Sequence, residues 1–159
     1  MSPNCSIASP LSQKQRAVWS LISKGLSVTA IADKLRTTRQ FVNQTKPATE
    51  AKLSTTLLEV ARANDLQVTR LYPKEALLLG CHSALKRKVI VTSSTNHGIK
   101  VSYWYRNPEV TNEDFLSQTR EYLLDFTKER GRQVEDAANT DPAKLVHMVF
   151  SKLVPEVES

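Results

Sequence analysis

Arg39, Gln40, Asn43 and Gln44 fall within six consecutive residues of the stretch TTRQFVNQTK, Thr37 to Lys46. Set on a helix, they span roughly 140° of arc and share one face. Their planar ends pair bidentately with base edges, Arg with guanine and Asn or Gln with adenine. Arg36, Thr37, Thr38 and Lys46 flank that face with charges and hydroxyls suited to phosphate oxygens, contacts that set register. No acid occurs from Lys34 to Thr49. A helix face built only for solubility more often alternates Glu with Lys.

Other reactive residues are placed less purposefully. Cys81 and His82 are neighbours, and on a strand they point to opposite faces, so they cannot pair as nucleophile and base. Cys5, Cys81, His82, His97 and His147 lack the spacing of a metal site. Four glycines in 159 residues leave little room for a phosphate-cradling loop. The acids between residues 109 and 125 read as the solvated face of a helix. The expectation is a protein that is not an enzyme, with no catalytic residue, metal or cofactor.

The elements that must carry the polar face follow from caps and periodicity. Residues 1–10 read as a flexible lead. Ser12 can cap a helix whose apolar stripe is Val18, Leu21 and Ile22, and Gly25 stands where such a helix stops. Ser27 opens a second helix, with Val28, Ile31 and Leu35 on one side. Thr38 opens a third, which turns Phe41 and Val42 inward. Pro47 is expected to end it and to start a fourth helix over residues 47–66, carrying Leu53, Leu57, Val60 and Ala61. Helices of about eight residues are unstable alone, so these must pack together.

Beyond Leu66 the period becomes that of strands. KVIVTSS and IKVSYWYR alternate on either side of TNHG, with Ile99, Val101, Tyr103 and Tyr105 on one face. ALLLG before them reads as a third strand or a short helix. Lys86, Arg87 and Lys88 precede the hairpin and Lys100 lies on it, so it could serve as a basic wing touching DNA backbone or as the sheet of a small regulatory domain. Thr111 with Asp114 resembles a capping box. Phe115, Tyr122, Leu123 and Phe126 follow as a stripe that ends near Gly131. Asp141-Pro142 starts a last helix with Leu145, Met148, Val149 and Leu153 inward.

Charge divides the chain. Residues 1–66 hold nine Lys/Arg against four Asp/Glu, residues 67–106 seven against one, and residues 107–159 six against eleven, within a net +6. A basic front and an acidic tail suit a polyanion partner for one part and another task for the rest. No apolar run reaches the roughly 18 to 20 residues of a membrane span. Two cysteines form no disulfide framework.

Residues 11–66 resemble the tetrahelical helix-turn-helix of LuxR/FixJ regulators and of the DNA-reading region of bacterial sigma factors. The resemblance rests on Leu11-Ser12, the Val18/Leu21/Ile22 stripe, Gly25-Leu26-Ser27, Ile31-Ala32, Leu35 and Val42. Thr37 to Val42, TTRxxV, is closer still to archaeal Tfx-type transcriptional regulators. The resemblance places Arg39, Gln40, Asn43 and Gln44 on a recognition helix, while Arg36 stands where many such motifs have Gly.

The expectation is therefore an α+β, mainly α, protein. An N-terminal tetrahelical bundle (residues 11–66) precedes a dimerisation or regulatory domain (67–159), made of a small antiparallel sheet (a hairpin or three strands) and two amphipathic helices. The expected function is sequence-specific binding of double-stranded DNA in transcriptional regulation, as a homodimer in the cytoplasm, associated with the nucleoid. RNA polymerase or basal transcription factors are further expected partners. Two alternatives are an RNA- or single-strand-binding module using hairpin 86–106 and a protein-interaction adaptor.

Overall fold

The computed structural model describes residues 10–95, 97–104, 113–131 and 142–154. Three helices come first: α1 (Gln13–Ser23), α2 (Val28–Leu35) and α3 (Arg39–Ala63). Four strands follow, β1 (Leu66–Tyr72), β2 (Leu77–His82), β3 (Lys88–Ser94) and β4 (Gly98–Tyr103), then α4 (Glu113–Glu129) and α5 (Pro142–Leu153).

The caps are where local chemistry puts them. Ser12 accepts from the Gln15 amide while the Gln15 side chain accepts from the Ser12 amide, a complete capping box. Ser27 caps α2 and Thr38 caps α3. Gly25 sits at φ +86°, and its amide closes the end of α1 on the Ile22 carbonyl.

The expected architecture is overturned here. Instead of a tetrahelical bundle, residues 13–63 form three helices, because α3 runs unbroken through Pro47 and absorbs the predicted fourth helix. The sheet has four strands rather than two or three, and it sits in the middle of the chain between helical segments. Packing decides the first point. A proline inside a helix costs about 3 kcal/mol. Val42, Leu53, Leu57 and Val60 form one buried stripe on both sides of it, and each full burial contributes about 1.5 to 3 kcal/mol. Pro47 itself is exposed, so its ring crowds solvent rather than the core.

The sheet is an antiparallel meander in the order β1-β2-β3-β4. Leu78 faces Val91, which faces Val101; one position along, Leu79 faces Ile90. Alternate residues thus point to opposite faces, and both faces are covered. Leu57, Val60 and Ala61 of α3 pack on Leu66, Leu78, Val89, Val91 and Ile99. Tyr122, Leu123 and Phe126 of α4, with Leu145, Val149 and Phe150 of α5, pack on Leu77, Leu79 and Ile90. The result is three layers, with α3 on one side of the sheet and α4 and α5 on the other. Gly80 is required where β2 passes β1, since a Cβ there would lie 2.9 Å from the Gln67 carbonyl oxygen.

ALLLG is thus largely strand β2, and β1 is a strand that periodicity did not reveal: a bulge between Val68 and Arg70 breaks its alternation. Within α5, Leu145 and Val149 are buried but Met148 is 37% exposed, contrary to its expected inward position, and Phe150 occupies the core instead. Tyr105 and the Thr111 cap lie outside the described residues, as does the side chain of Phe115.

Candidate nucleic-acid interface

The polar face is carried by the first two turns of α3, and these are braced from behind. Val18 and Leu21 of α1, Ile31 and Ala32 of α2 and Val42 of α3 form one buried cluster, with Ile22, Leu26, Val28, Leu35 and Phe41 around it. Small Ala32 is 3% exposed at the centre of that packing.

The connection between α2 and α3 is three residues long and is held by hydrogen bonds at each residue. Arg36 caps α2 in the left-handed region, at φ 53° and ψ 48°, with its amide on the Ala32 and Asp33 carbonyls. The Thr37 amide donates to the Ala32 carbonyl at 2.9 Å. The Thr38 hydroxyl accepts from the Phe41 amide at 3.1 Å, and its own proton remains available to a phosphate oxygen. Short helices braced on a common core thus hold the start of α3 in a fixed attitude.

Arg36, Thr38, Arg39, Gln40, Asn43 and Gln44 are exposed, while Thr37 and Lys46 are half-buried. The positive end of the α3 dipole lies at the same place and adds to the attraction for anions. The eight residues of the predicted interface therefore share one end of the molecule.

The basic residues of the hairpin region do not join them. Ser83 donates both its amide and its hydroxyl to the Asp65 carbonyl, which ties the β2–β3 turn to the far end of α3. From Val42 to Ala63 is about 32 Å along the helix at 1.5 Å per residue. Lys86 and Arg87 are exposed on that distant turn and Lys88 is half-buried. Lys100 is elsewhere again, pairing with Thr92 near the other end of β3. Its Nζ lies 4.7 Å from the centre of the Tyr122 ring, and burial lowers its pKa. Residues 86–88 and Lys100 therefore do not form one wing.

The aromatic residues of the hairpin are used internally. Trp104 is 8% exposed and stacks on His147 at 4.1 Å, and Tyr103 packs beside the cluster between α3 and the sheet. His82 faces Tyr103, and its Nδ1 accepts from the Leu85 amide. Cys81 is a half-buried free thiol. Among the described residues no three His, Cys, Asp or Glu side chains come together as metal ligands.

A polar seam that sequence reasoning missed joins the sheet to α4. Arg130 donates to the carbonyls of Glu75, Ser93 and Phe126, and its guanidinium lies 3.7 Å from the Phe126 ring centre. Glu129 accepts from the Ser94 hydroxyl and the Thr95 amide, both at 3.0 Å. His97 Nε2 lies 2.6 Å from Asp125 Oδ2. Tyr122 hydrogen-bonds Thr92. The Ser23 hydroxyl donates to the Glu129 carbonyl at 3.1 Å, linking α1 to the same seam. The sequence signal was the hydroxyl run TSST, residues 92–95, on an otherwise apolar strand.

Among the described residues no helix is long and apolar enough to cross a membrane. No family model, curated protein or solved structure matches the chain in the comparisons made.

Proposed function

We propose that this protein binds double-stranded DNA sequence-specifically as a transcriptional regulator, reading the major groove with the first two turns of α3. The observation that carries the proposal is the exposure of Arg39, Gln40, Asn43 and Gln44 on one braced helix end that is free of acids. Arg39 and Asn43 take the base-reading roles, with Gln40 and Gln44 beside them. Arg36, Thr37, Thr38 and Lys46 hold the phosphates. One such helix reads few base pairs, so two copies on half-sites about one helical turn apart complete the proposal.

Single-strand binding through the hairpin is disfavoured by the inward packing of Trp104, since stacking on bases needs an exposed ring.

The test is selection of bound duplexes from a random pool, run with the wild-type chain and with Arg39→Ala/Asn43→Ala. We expect a recovered motif with two half-sites. On that motif each substitution alone should cost about 1 to 3 kcal/mol and relax choice at one position. Equal losses on selected and random DNA would refute base reading.

A further inference from the structure

We infer that Pro47 builds a fixed bend into α3 that aims its base-reading turns, making Pro47 a positioning residue for recognition. The inference rests on the base-reading proposal and adds to it the device that sets the angle of approach.

Residues 39–46 of α3 carry the polar face, whereas Leu53, Leu57 and Val60 are buried against α1 and the sheet. Pro47 stands at the boundary. It lacks an amide proton, so the carbonyl of Asn43 loses its intrahelical donor and is pushed aside by the ring. Pro47, Asn43 and Gln40 follow one another at helical spacing on the exposed side. The opening is therefore on the reading face, and the axis bends with that face convex.

The opposite side keeps its ladder and carries threonine hydroxyls bonded back to it. The Thr45 hydroxyl donates to the Phe41 carbonyl at 2.7 Å, and the Thr49 hydroxyl donates to the Thr45 carbonyl at 2.8 Å. Thr56 makes the same bond to the Lys52 carbonyl at 2.8 Å, so the back-bonds run along α3 and the bend is assigned to Pro47. Thr45 and Thr49 are buried and lie along the stripe that contains Val42 and Leu53. A straight α3 would be better served by alanine at position 47. Pro47 stands between the turns that Val42 seats on the α1–α2 cluster and the turns that Leu57 and Val60 seat on the sheet, so its bend sets the angle between the two seats and with it the direction of the polar face.

The experiment compares the full-length wild type, Pro47→Ala and Arg39→Ala/Asn43→Ala. Residual dipolar couplings of the α3 amides give the angle between residues 40–46 and 50–62 without DNA. Dissociation constants on the selected and on random duplexes give discrimination, and thermal melts give stability. We expect two distinct axes in the wild type and a smaller angle in Pro47→Ala. That variant should melt higher and yet discriminate at least ten-fold less well. A single straight axis in the wild type, or full discrimination in Pro47→Ala, would overturn the bend while leaving base reading intact. Undiminished discrimination in Arg39→Ala/Asn43→Ala would remove base reading itself, and the positioning role with it. A purely structural proline predicts a higher melting point and unchanged recognition.

Discussion

Arg36 carries a local cost to the fold that the proposed recognition role would explain. It holds a left-handed conformation at φ 53°, which costs a non-glycine residue roughly 1 to 2 kcal/mol. Glycine would take that position cheaply, although its greater freedom in the unfolded chain offsets part of the gain. The proposed phosphate contact accounts for an arginine there. Arg36→Gly is therefore expected to raise stability by up to about 1 kcal/mol while weakening binding to all duplexes alike. Its plot of log affinity against log salt should flatten by about 0.9, the loss of one phosphate contact. Thermal melts and a salt titration check both halves, and an unchanged slope would remove Arg36 from the phosphate set. At this scale the sequence was informative because the chemistry is local. Ser12, Ser27 and Thr38 each cap a helix within four residues of themselves. The Glu129 and Arg130 contacts were not legible, because Arg130 meets Glu75 and Ser93 across 55 and 37 residues.

Among the elements, α3 and the sheet mark the limit of local reading. Pro47 predicts a boundary on propensity alone, and the buried stripe from Val42 to Val60 overrides it. Strand β1 escaped because its bulge breaks the period that identifies strands, whereas Ile99, Val101 and Tyr103 kept theirs. The packing of β3 on α4 is testable through Tyr122. Burial is the main cause that pushes its pKa up to about 12, and nearby Glu129 adds to the rise; the Thr92 hydrogen bond and the Arg130 charge oppose it. A tyrosine whose folded pKa lies above its unfolded value of 10.0 contributes stability that is complete below pH 10 and lost as pH rises toward 12. The loss reaches about 3 kcal/mol. Lys100 has the opposite sign, since burial lowers its pKa and stability recovers as pH climbs toward 10.5. Between pH 10.5 and 12 the two oppose each other, and the difference between the wild type and Tyr122→Phe isolates the phenol. Denaturant melts across that interval should fall steeply for the wild type and less so for Tyr122→Phe. At neutral pH the same variant should lose about 1 kcal/mol with the Thr92 hydrogen bond. Parallel alkaline slopes would mean that the phenol is not buried in this layer.

For the whole molecule, the question is whether the reading end and the sheet are separate bodies. The burial pattern predicts one cooperative unit. Val42 belongs to the cluster behind the reading face, Leu53 packs with Trp19 and with Ala76 of the β1–β2 turn, and Leu57 and Val60 belong to the sheet face. Helix α3 is thus the shared wall of three adjoining clusters, and the Ser23 to Glu129 hydrogen bond closes the link through α4. The chain has two tryptophans, and they report from different places. Trp19 is 2% exposed between α1 and α3, and Trp104, just past β4, stacks on His147 of α5 beyond the sheet. In Trp104→Phe the fluorescence reports the helical end, and in Trp19→Phe it reports the sheet end. Each signal is compared with far-UV circular dichroism of the same variant, so that any destabilisation by the substitution cancels. Coincident transitions in both are expected for two-state unfolding. Leu57→Ala, added to either background, should lower both midpoints together by an amount equivalent to about 2 to 5 kcal/mol. Separated midpoints would instead make the reading end an independent unit. If the transitions coincide, a duplex bound in the proposed way at the first turns of α3 should raise both midpoints together.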